Sequence, residues 1–323
     1  MKETVVPKIS VIMAVHNGER YLEESVRSLL EQTFTDFELI IVDDGSTDQT
    51  AELLTRLGQE EARIRVIRQP KQGQTAALLK GIAESRGEYL ARQDADDRSF
   101  PLRLEEQIRY LESHPHVALV GSAADLIDEE GKVVGTVPTC HGTARVRQEL
   151  RTLKATMVHS SVLMRRQAYE AVGGYRVAFL LSQDFDLWSR MMERYDVDIL
   201  PQRLIQWRIN RKGVYVNQRV LQLKYGAIAI TFAKERIRFG SDSYSLLAES
   251  KGDLDQFISG YRLRGAVQAL WGESLYRTLG DPVLARTHLK QAVAGGYLSP
   301  RTVGLLGWSL TGLGWPGRPQ LSL

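Results

Sequence analysis

The chain has 323 residues, of which 43% are hydrophobic and 25% are charged, a composition typical of a globular protein of one or two domains. The formal net charge of +3 is too small to indicate nucleic-acid binding, and we expect no nucleic-acid partner. The single cysteine, Cys140, excludes an internal disulfide and fits a reducing compartment.

The chain begins MKETVVPKIS and enters a strand pattern at once, without the apolar segment of a signal peptide. No apolar run reaches the ~18–20 residues that a transmembrane helix needs. We therefore expect a cytoplasmic protein.

The first third of the chain alternates strand and helix patterns. Strands are predicted at residues 9–15, 37–44, 63–69 and 88–93, the first of which, ISVIMAV, is a continuous apolar run rich in β-branched residues. A capping box of Ser46 and Gln49 is predicted for the second helix. This alternation with short loops predicts a parallel, doubly wound α/β sheet.

Three polar loops follow these strands: HNGE (16–19), DDGSTD (43–48) and DADD (94–97). Ligands bind beyond the carboxyl ends of the strands in such sheets. A solvated turn explains any one of these loops, but three at one edge predict a binding site.

The pattern changes after Asp97. A helix is predicted between two prolines at 101–115, followed by short strands at 117–121, 132–138 and 160–166, a helix at 184–195 and a late strand at 204–209. Beyond about residue 220 the sequence is helical. We expect a catalytic domain over residues 1–220 and a C-terminal helical region over 221–323.

The C-terminal region has 12 Lys and Arg residues against 7 Asp and Glu, and its tail carries Trp308 and Trp315 between arginines. Two roles are open for it. It is either a helical cap packed on the rest of the protein or a peripheral contact with the cytoplasmic face of the membrane, where arginine and tryptophan suit the headgroup layer.

Asp94, Asp96 and Asp97 crowd into four positions at a strand end. Their mutual repulsion is relieved if a cation is present, and a cluster of carboxylates suits Mg²⁺ or Mn²⁺ when a diphosphate completes the coordination. The alternative is a turn, with Asp97 or Ser99 capping the next helix.

Four segments together resemble family 2 glycosyltransferases, which are inverting enzymes with the GT-A fold. They are SVIMAVHNGERYLEESVRSLLEQTFTDFELIIVDDGSTDQT, GEYLARQDADDRSFPLRLEEQ, HSSVLMRR, and GGYR with the later SQDFDLWSRM. The resemblance extends over about residues 8–215. It implies a Rossmann-like, mostly parallel central sheet with flanking helices, to which the C-terminal helices are an extension.

The resemblance implies a site for a sugar nucleotide, UDP- or dTDP-linked. The residues that would line its base and ribose are Ala14, Val15, His16 and Glu19. Asp44 would accept a hydrogen bond from the base, or would serve only as a turn or cap residue.

Asp94 and Asp96 match the DxD motif of the family. The resemblance implies that Asp96 binds Mn²⁺ or Mg²⁺ and that Asp94 contacts the ribose or the water shell of the ion, which assists departure of the nucleoside diphosphate.

An inverting transfer needs a general base for the acceptor hydroxyl. Asp184 matches the second residue of the family's Glu-Asp pair at a helix N-terminus, and a capping role there is compatible with catalysis. Gln183 departs from the pattern. Asp186 is expected on another face of the helix, where it is either solvated or paired with another residue.

Further residues are candidate contacts to the acceptor or the diphosphate. Asn210 stands where the family often has a His that contributes to the metal site. Either the metal is held more loosely here, or Arg208 and Arg211 take over part of the diphosphate charge. His159 is either a substrate contact or a hydrogen-bonded strand-end residue, and Trp188 either stacks on a sugar or belongs to the core.

The leading hypothesis is an inverting glycosyltransferase that uses a saccharide or lipid-linked acceptor in cell-surface polysaccharide synthesis. Gln183 and Asn210 keep open a catalytically silent sugar-nucleotide-binding protein. A nucleotidyltransferase would need a glycine-rich phosphate loop with a basic residue, which HNGERY lacks.

Overall fold

The computed structural model describes residues 6–151, 157–209, 218–279, 282–294, 297 and 305–306. The chain forms two compact units, Met1–Asn217 and Gln218–Leu323. Four residues named above, Asn210, Arg211, Trp308 and Trp315, lie outside the described residues.

The elements of the first unit confirm the alternation of strand and helix over its first hundred residues. In chain order they are β1 (Ile9–Val15), α1 (Leu22–Leu30), β2 (Phe37–Asp44), α2 (Thr50–Glu60), β3 (Ile64–Gln69), α3 (Gln74–Ala83), β4 (Tyr89–Arg92), β5 (Arg98–Ser99), α4 (Arg103–Ser113), β6 (Val117–Ile127), β7 (Val133–Thr136), α5 (Thr143–Leu150), a 3-10 turn (His159–Ser161), β8 (Leu163–Arg165), α6 (Arg166–Ala171), α7 (Gln183–Arg194) and β9 (Asp196–Arg208).

Among the described residues nine strands form one sheet, in the order β3-β2-β1-β4-β8-β6-β9-β5, with β7 paired to β6. The strands β3, β2, β1 and β4 are parallel, as predicted. The other half is mixed, because β8 runs antiparallel to both β4 and β6, whereas β6 and β9 are parallel. The strands predicted as short at 117–121 and 204–209 are parts of the long strands β6 and β9.

Continuous apolar runs place both faces of the sheet in the core. All eight residues of β2 are buried. Ile40 packs on one side in a cluster that includes Leu78 of α3 and Leu187 of α7. Ile41 packs on the other side in a cluster with the helices α1, α2 and α4. The alternating directions of successive side chains along a strand produce this division.

The capping box predicted for α2 is wrong. Ser46 Oγ instead accepts a hydrogen bond from the backbone N–H of Asn17. The N–H of Thr50, the first residue of the helix, donates to Asp48 Oδ1. The neighbouring loop therefore engages Ser46, and the helix begins one turn later than its sequence suggests.

The second unit is helical in the residues described. Its helices are α8 (Arg219–Phe239), α9 (Tyr244–Glu249), α10 (Leu254–Gly260), α11 (Arg264–Leu279) and α12 (Pro282–Ala294). Glu235 is fully buried in α8 and accepts hydrogen bonds from Ser243, Tyr261 and Arg262. Across the described ranges, no helix is both long enough and apolar enough to span a bilayer.

Arg103 of α4 is a fully buried cation beneath the acidic loop at residues 94–97. Its Nη1 donates to Gln93 Oε1 at 2.7 Å, and its Nη2 donates to the carbonyl of Arg92 at 2.7 Å. Burial lowers the pKa of Arg103 to about 9. Arg103 therefore joins α4 to the end of β4 through groups that cannot reach water.

Replacing Arg103 with Met should lower the free energy of unfolding by about 3–5 kcal/mol, because buried acceptors lose their donor and the buried Asp97 loses a nearby positive charge. Urea denaturation measures this loss. Arg109→Met on the same helix, where the side chain forms exposed pairs with Glu105 and Glu106, should change stability by at most about 0.5 kcal/mol. Equal losses for the two variants would contradict the role given to Arg103.

Candidate functional site

The three predicted loops meet at the carboxyl ends of the parallel strands. The N–H of Thr47 donates to Asn17 Oδ1 at 2.8 Å. The N–H of Glu19 donates to Asp48 Oδ2 at 3.2 Å, and the N–H of Gln49 donates to Glu19 Oε2 at 3.0 Å. The structure thus brings the loop after β1 against the loop after β2, and the Glu19 carboxylate is part of that contact.

Asp44 is buried at the end of β2, and its carboxylate accepts hydrogen bonds from other residues of the protein. Oδ1 accepts from Gln69 Nε2 and from the N–H of Gln72, and Oδ2 accepts from the N–H of Gly73, each at 2.8 Å. Asp44 therefore has the turn role that the sequence left as an alternative. It fixes the loop at residues 69–73, which the sequence analysis did not single out.

His16 lies between this loop and the end of β2. Its Nδ1 is 3.0 Å from the carbonyl oxygen of Asp44, and its Nε2 is 2.9 Å from Lys71 Nζ. Since lysine only donates, Nε2 accepts and Nδ1 carries the proton. Ala14 is half-buried and Val15 is buried at the same strand end.

Asp94 accepts hydrogen bonds on both carboxylate oxygens. Arg92 and Gln74 donate to Oδ1, the latter at 3.1 Å, and Ser160 Oγ donates to Oδ2 at 2.7 Å. Burial by itself raises the pKa of Asp94, but the positive charge of Arg92 and these hydrogen bonds outweigh it and hold the pKa below its usual value. Asp94 is thus an oriented carboxylate.

Asp97 faces inward from the same loop. Its Oδ1 accepts from the N–H of Arg208, whereas its buried Oδ2 has no hydrogen-bond partner among the described groups. Burial, and then the charges of Asp96 and Asp94, raise the pKa of Asp97 well above its usual value.

The prediction that Arg208 contacts the diphosphate is wrong. The guanidinium is buried, and its Nε donates to the carbonyl oxygen of Asp96 at 2.8 Å. Its other nitrogens donate to the carbonyls of Asp128 and Glu129 and to Glu24 Oε2. The Arg208 side chain therefore points away from the rim, and it stabilises the acidic loop at residues 94–97.

The donor set at the rim fits a divalent cation only in part. Asp94 and Asp96 supply the hard carboxylate oxygens that Mg²⁺ and Mn²⁺ prefer. Yet no group of three or more His, Cys, Asp or Glu side chains in the described ranges could hold an ion. The residues therefore fit a cation whose remaining ligands come from a bound phosphate.

Asp184 occupies the second position of α7, half-buried. Burial raises the pKa of its carboxyl to about 6, and the negative charge of Asp94 contributes to the rise against the hydrogen bond from the N–H of Phe185. The two carboxylates are thus within electrostatic reach of each other. Asp186, by contrast, is fully buried and paired with Arg190 Nη2 at 2.6 Å.

His159 and Trp188 pack together behind the rim. His159 Nε2 lies 2.7 Å from the hydroxyl of Tyr175, and burial lowers the pKa of His159 to about 3. Trp188 is only 1% exposed and belongs to the core. It presents no ring face to a sugar, so the core alternative is the one that the structure shows.

Several site residues escaped the sequence analysis, namely Lys71, Gln74, Arg92 and Ser160. Arg92 and its neighbour Gln93 had a visible signal, because they are polar residues inside a run predicted to be a buried strand. Lys71 and Gln74 follow β3, and the strand-end argument applied to that loop as well. Ser160 had no distinguishing pattern.

Comparisons with known proteins identify the family of the chain. The sequence profile of the family described as "Glycosyl transferase family 2" matches residues 10–173. The putative glycosyltransferase EpsE of Bacillus subtilis is 36% identical over 195 residues, covering 58% of this chain and 67% of that protein. An uncharacterized glycosyltransferase of Methanocaldococcus jannaschii is 30% identical over 248 residues, covering 74% and 83%. The O-antigen biosynthesis glycosyltransferase WbnJ of Escherichia coli is 29% identical, covering 66% and 84%.

Solved structures show the same fold at low sequence identity. S. aureus TarS 1–349 in complex with UDP-GlcNAc has a TM-score of 0.61 at 16% identity, covering 94% of this chain and 92% of that one. The longer TarS structure is covered over 53% of its length, about half. The mannosyltransferase PcManGT from Pyrobaculum calidifontis, in complex with GDP-Man and Mn²⁺, has a TM-score of 0.56 at 18% identity, covering 96% and 86%. These similarities confirm the GT-A fold.

The raised pKa of Asp184 predicts that Asp184→Asn is more stable than the wild type above pH 6. The folded carboxyl keeps its proton up to about pH 6, whereas the unfolded one loses it near ~3.9. Wild-type stability therefore falls relative to the variant between those values, by up to about 3 kcal/mol. Thermal unfolding from pH 4 to 8, without divalent cations, measures the difference.

Asp255 provides a control in which the pKa shift has the opposite sign, because its hydrogen bond to Lys224 lowers its pKa. The wild type should gain stability relative to Asp255→Asn as pH rises through the acidic range. A pH-independent difference for Asp184→Asn would contradict the buried-carboxyl assignment.

Proposed function

Because the chain belongs to glycosyltransferase family 2, we propose that it moves a sugar with inversion from a UDP- or dTDP-linked donor to a saccharide or lipid-linked acceptor. The observation that carries this proposal is the convergence of two acidic elements at one rim. Gln74 is hydrogen-bonded both to Asp94 of the DxD motif and to Gln183, the residue before Asp184. The similarity to EpsE and to the O-antigen enzyme WbnJ favours a role in cell-surface polysaccharide synthesis.

The nucleoside of the donor would bind against the loops after β1, β2 and β3. His16 and Lys71 present polar groups there, and Ala14 with Val15 forms an apolar strand end. Asp44 would act mainly by holding the loop at residues 69–73, because its oxygens already accept three N–H groups. A further lone pair remains for a base N–H.

Asp96 would bind a divalent cation, with Asp94 oriented beside it toward the ribose or the ion's water shell. When bound, Mn²⁺ or Mg²⁺ neutralises charge that develops on the leaving nucleoside diphosphate. The presence of Mn²⁺ with GDP-Man in PcManGT supports this assignment. Arg92 keeps Asp94 ionised and oriented from beneath.

Asp184 would accept the proton of the acceptor hydroxyl as that oxygen attacks the anomeric carbon. A general base works best when its pKa is near the operating pH, and a pKa of about 6 leaves Asp184 ionised yet basic near neutrality. Its place at the start of α7 keeps the carboxylate at the rim.

A catalytically silent binding protein remains the second candidate. This candidate arose from two departures from the family pattern, Gln183 and Asn210. Asn210 lies outside the described residues. The side chain of Gln183 is buried and donates a hydrogen bond to Gln74 Oε1 at 3.1 Å. Asp184 keeps its position in the first turn of α7. We therefore favour the enzyme. Incubation with UDP- and dTDP-sugars and Mn²⁺ separates the two, since a silent protein binds donor without releasing nucleoside diphosphate.

Asp184→Asn should reduce transfer at least about 10²-fold while leaving UDP binding within a factor of about two, because a general base contributes 10²–10⁴-fold to rate. In the wild type, kcat/KM should fall as pH drops through about 6, the pKa of Asp184. Release of nucleoside diphosphate measures both effects. A variant that keeps most of the activity would refute the assignment of the base.

Asp96→Asn should weaken the binding of UDP in the presence of Mn²⁺ by about tenfold or more, because one charged ligand of the cation is lost. Isothermal titration with and without Mn²⁺ measures this. The affinity for UDP without Mn²⁺ should change little. Asp36→Asn, an exposed carboxylate before β2, is the control and should bind like the wild type. Unchanged affinity of Asp96→Asn for UDP with Mn²⁺ would count against the metal site.

A further inference from the structure

Gln74 lies between the two acidic elements of the site. Its Nε2 donates to Asp94 Oδ1 at 3.1 Å, and its Oε1 accepts from Gln183 Nε2 at 3.1 Å. Gln74 is the first residue of α3, and Gln183 is the first residue of α7. One side chain thus joins the carboxylate after β4 to the helix that carries Asp184.

A second bond connects the same two elements. Thr75 Oγ1 donates to the carbonyl oxygen of Phe179 at 2.9 Å, and both residues are buried. Between Phe179 and α7, Ser182 adopts a left-handed backbone with φ of 54°, a conformation that costs energy for a residue with a side chain. Two hydrogen bonds from α3 therefore flank a left-handed residue at the start of α7.

The chemistry of the groups sets the direction of this hydrogen-bonded chain. The Asp94 carboxylate, paired with Arg92, only accepts hydrogen bonds, so Gln74 must turn its amide nitrogen toward it. The carbonyl oxygen of Gln74 then faces residue 183. Only a donor satisfies that oxygen, and an amide at position 183 provides one, whereas an ionised carboxylate does not.

We propose that Gln74 and Gln183 form a polarity-matched amide pair that fixes Asp184 relative to Asp94, which makes both glutamines positioning residues for transfer. The inference rests on the proposed function for the role of Asp184. It also accounts for the departure noted in the sequence, because a glutamate at position 183 would face the oxygen of Gln74. In this chain the two positions are matched to each other.

The first test is independent of activity and uses thermal unfolding of the full chain at pH 7.5. Gln183→Glu keeps the shape of the side chain and removes its donor. It should lower Tm by about 1–3 °C, as expected for loss of one part-buried hydrogen bond. In a Gln74→Ala background the same change should lower Tm by less than half as much, because the facing oxygen is gone.

A matched control separates the effect of adding charge at a helix start from the effect of losing the hydrogen bond to Gln74. Gln256→Glu places a carboxylate in the first turn of α10, near Asp253 and Asp255, where the glutamine is exposed. It should change Tm by less than about 1 °C and independently of Gln74. Equal losses for Gln183→Glu in the two backgrounds, or a rise in Tm from the favourable helix dipole, would overturn the proposal.

The second test measures catalysis with UDP-glucose, UDP-GlcNAc, UDP-galactose and dTDP-glucose as donors and Mn²⁺ as cation. Gln183→Met should lower kcat about tenfold or more with donor KM within about threefold, because a displaced base loses rate rather than donor affinity. Gln183→Glu should also shift the acidic limb of the rate profile to higher pH, since it adds a negative charge beside Asp184.

The outcomes separate this inference from the proposed function. If the wild type releases nucleoside diphosphate and both variants match its kcat and its pH profile, the positioning role fails and the enzyme assignment stands. If the wild type turns over none of the four donors, the enzyme assignment fails for them, and the unfolding comparison still decides whether the amide pair exists.

Discussion

The acidic loop at residues 94–97 depends on buried guanidinium groups. Arg92 pairs with the carboxylate of Asp94, the guanidinium of Arg208 donates to the carbonyl oxygen of Asp96, and Arg103 lies beneath. Carboxylates crowded at a strand end repel one another unless cations balance them. The protein supplies much of that balance itself, from β4, α4 and β9, and these groups fix the shape of the loop.

This arrangement separates the roles of the three aspartates. The oxygens of Asp94 are oriented by Arg92, Gln74 and Ser160. Asp97 faces the interior, where burial raises its pKa. The remaining carboxylate, that of Asp96, is half-buried at the rim. Catalytic groups act best when the surrounding structure holds them in place in advance, and here buried arginines provide the support.

The same principle extends to the start of α7. Asp184 owes its raised pKa to burial and to the field of Asp94, so its chemistry depends on the distance between two elements far apart in sequence. Gln74 spans that gap with one amide. A glutamine in place of glutamate at position 183 is thus compatible with an intact site, because what the neighbouring group requires there is a donor.

Local pattern determined the parallel strands β1 to β4, the helices between them and the edge at which polar loops meet, because apolar runs and turn residues are read over a few positions. The tertiary structure decided what lies across the fold. In it, β6 and β9 are longer than predicted, and the side chain of Arg208 points inward. The Asp44 carboxylate accepts hydrogen bonds from the loop at residues 69–73. Each of these outcomes depends on partners distant in the chain, and side-chain direction, burial and charge balance arise only when such partners meet.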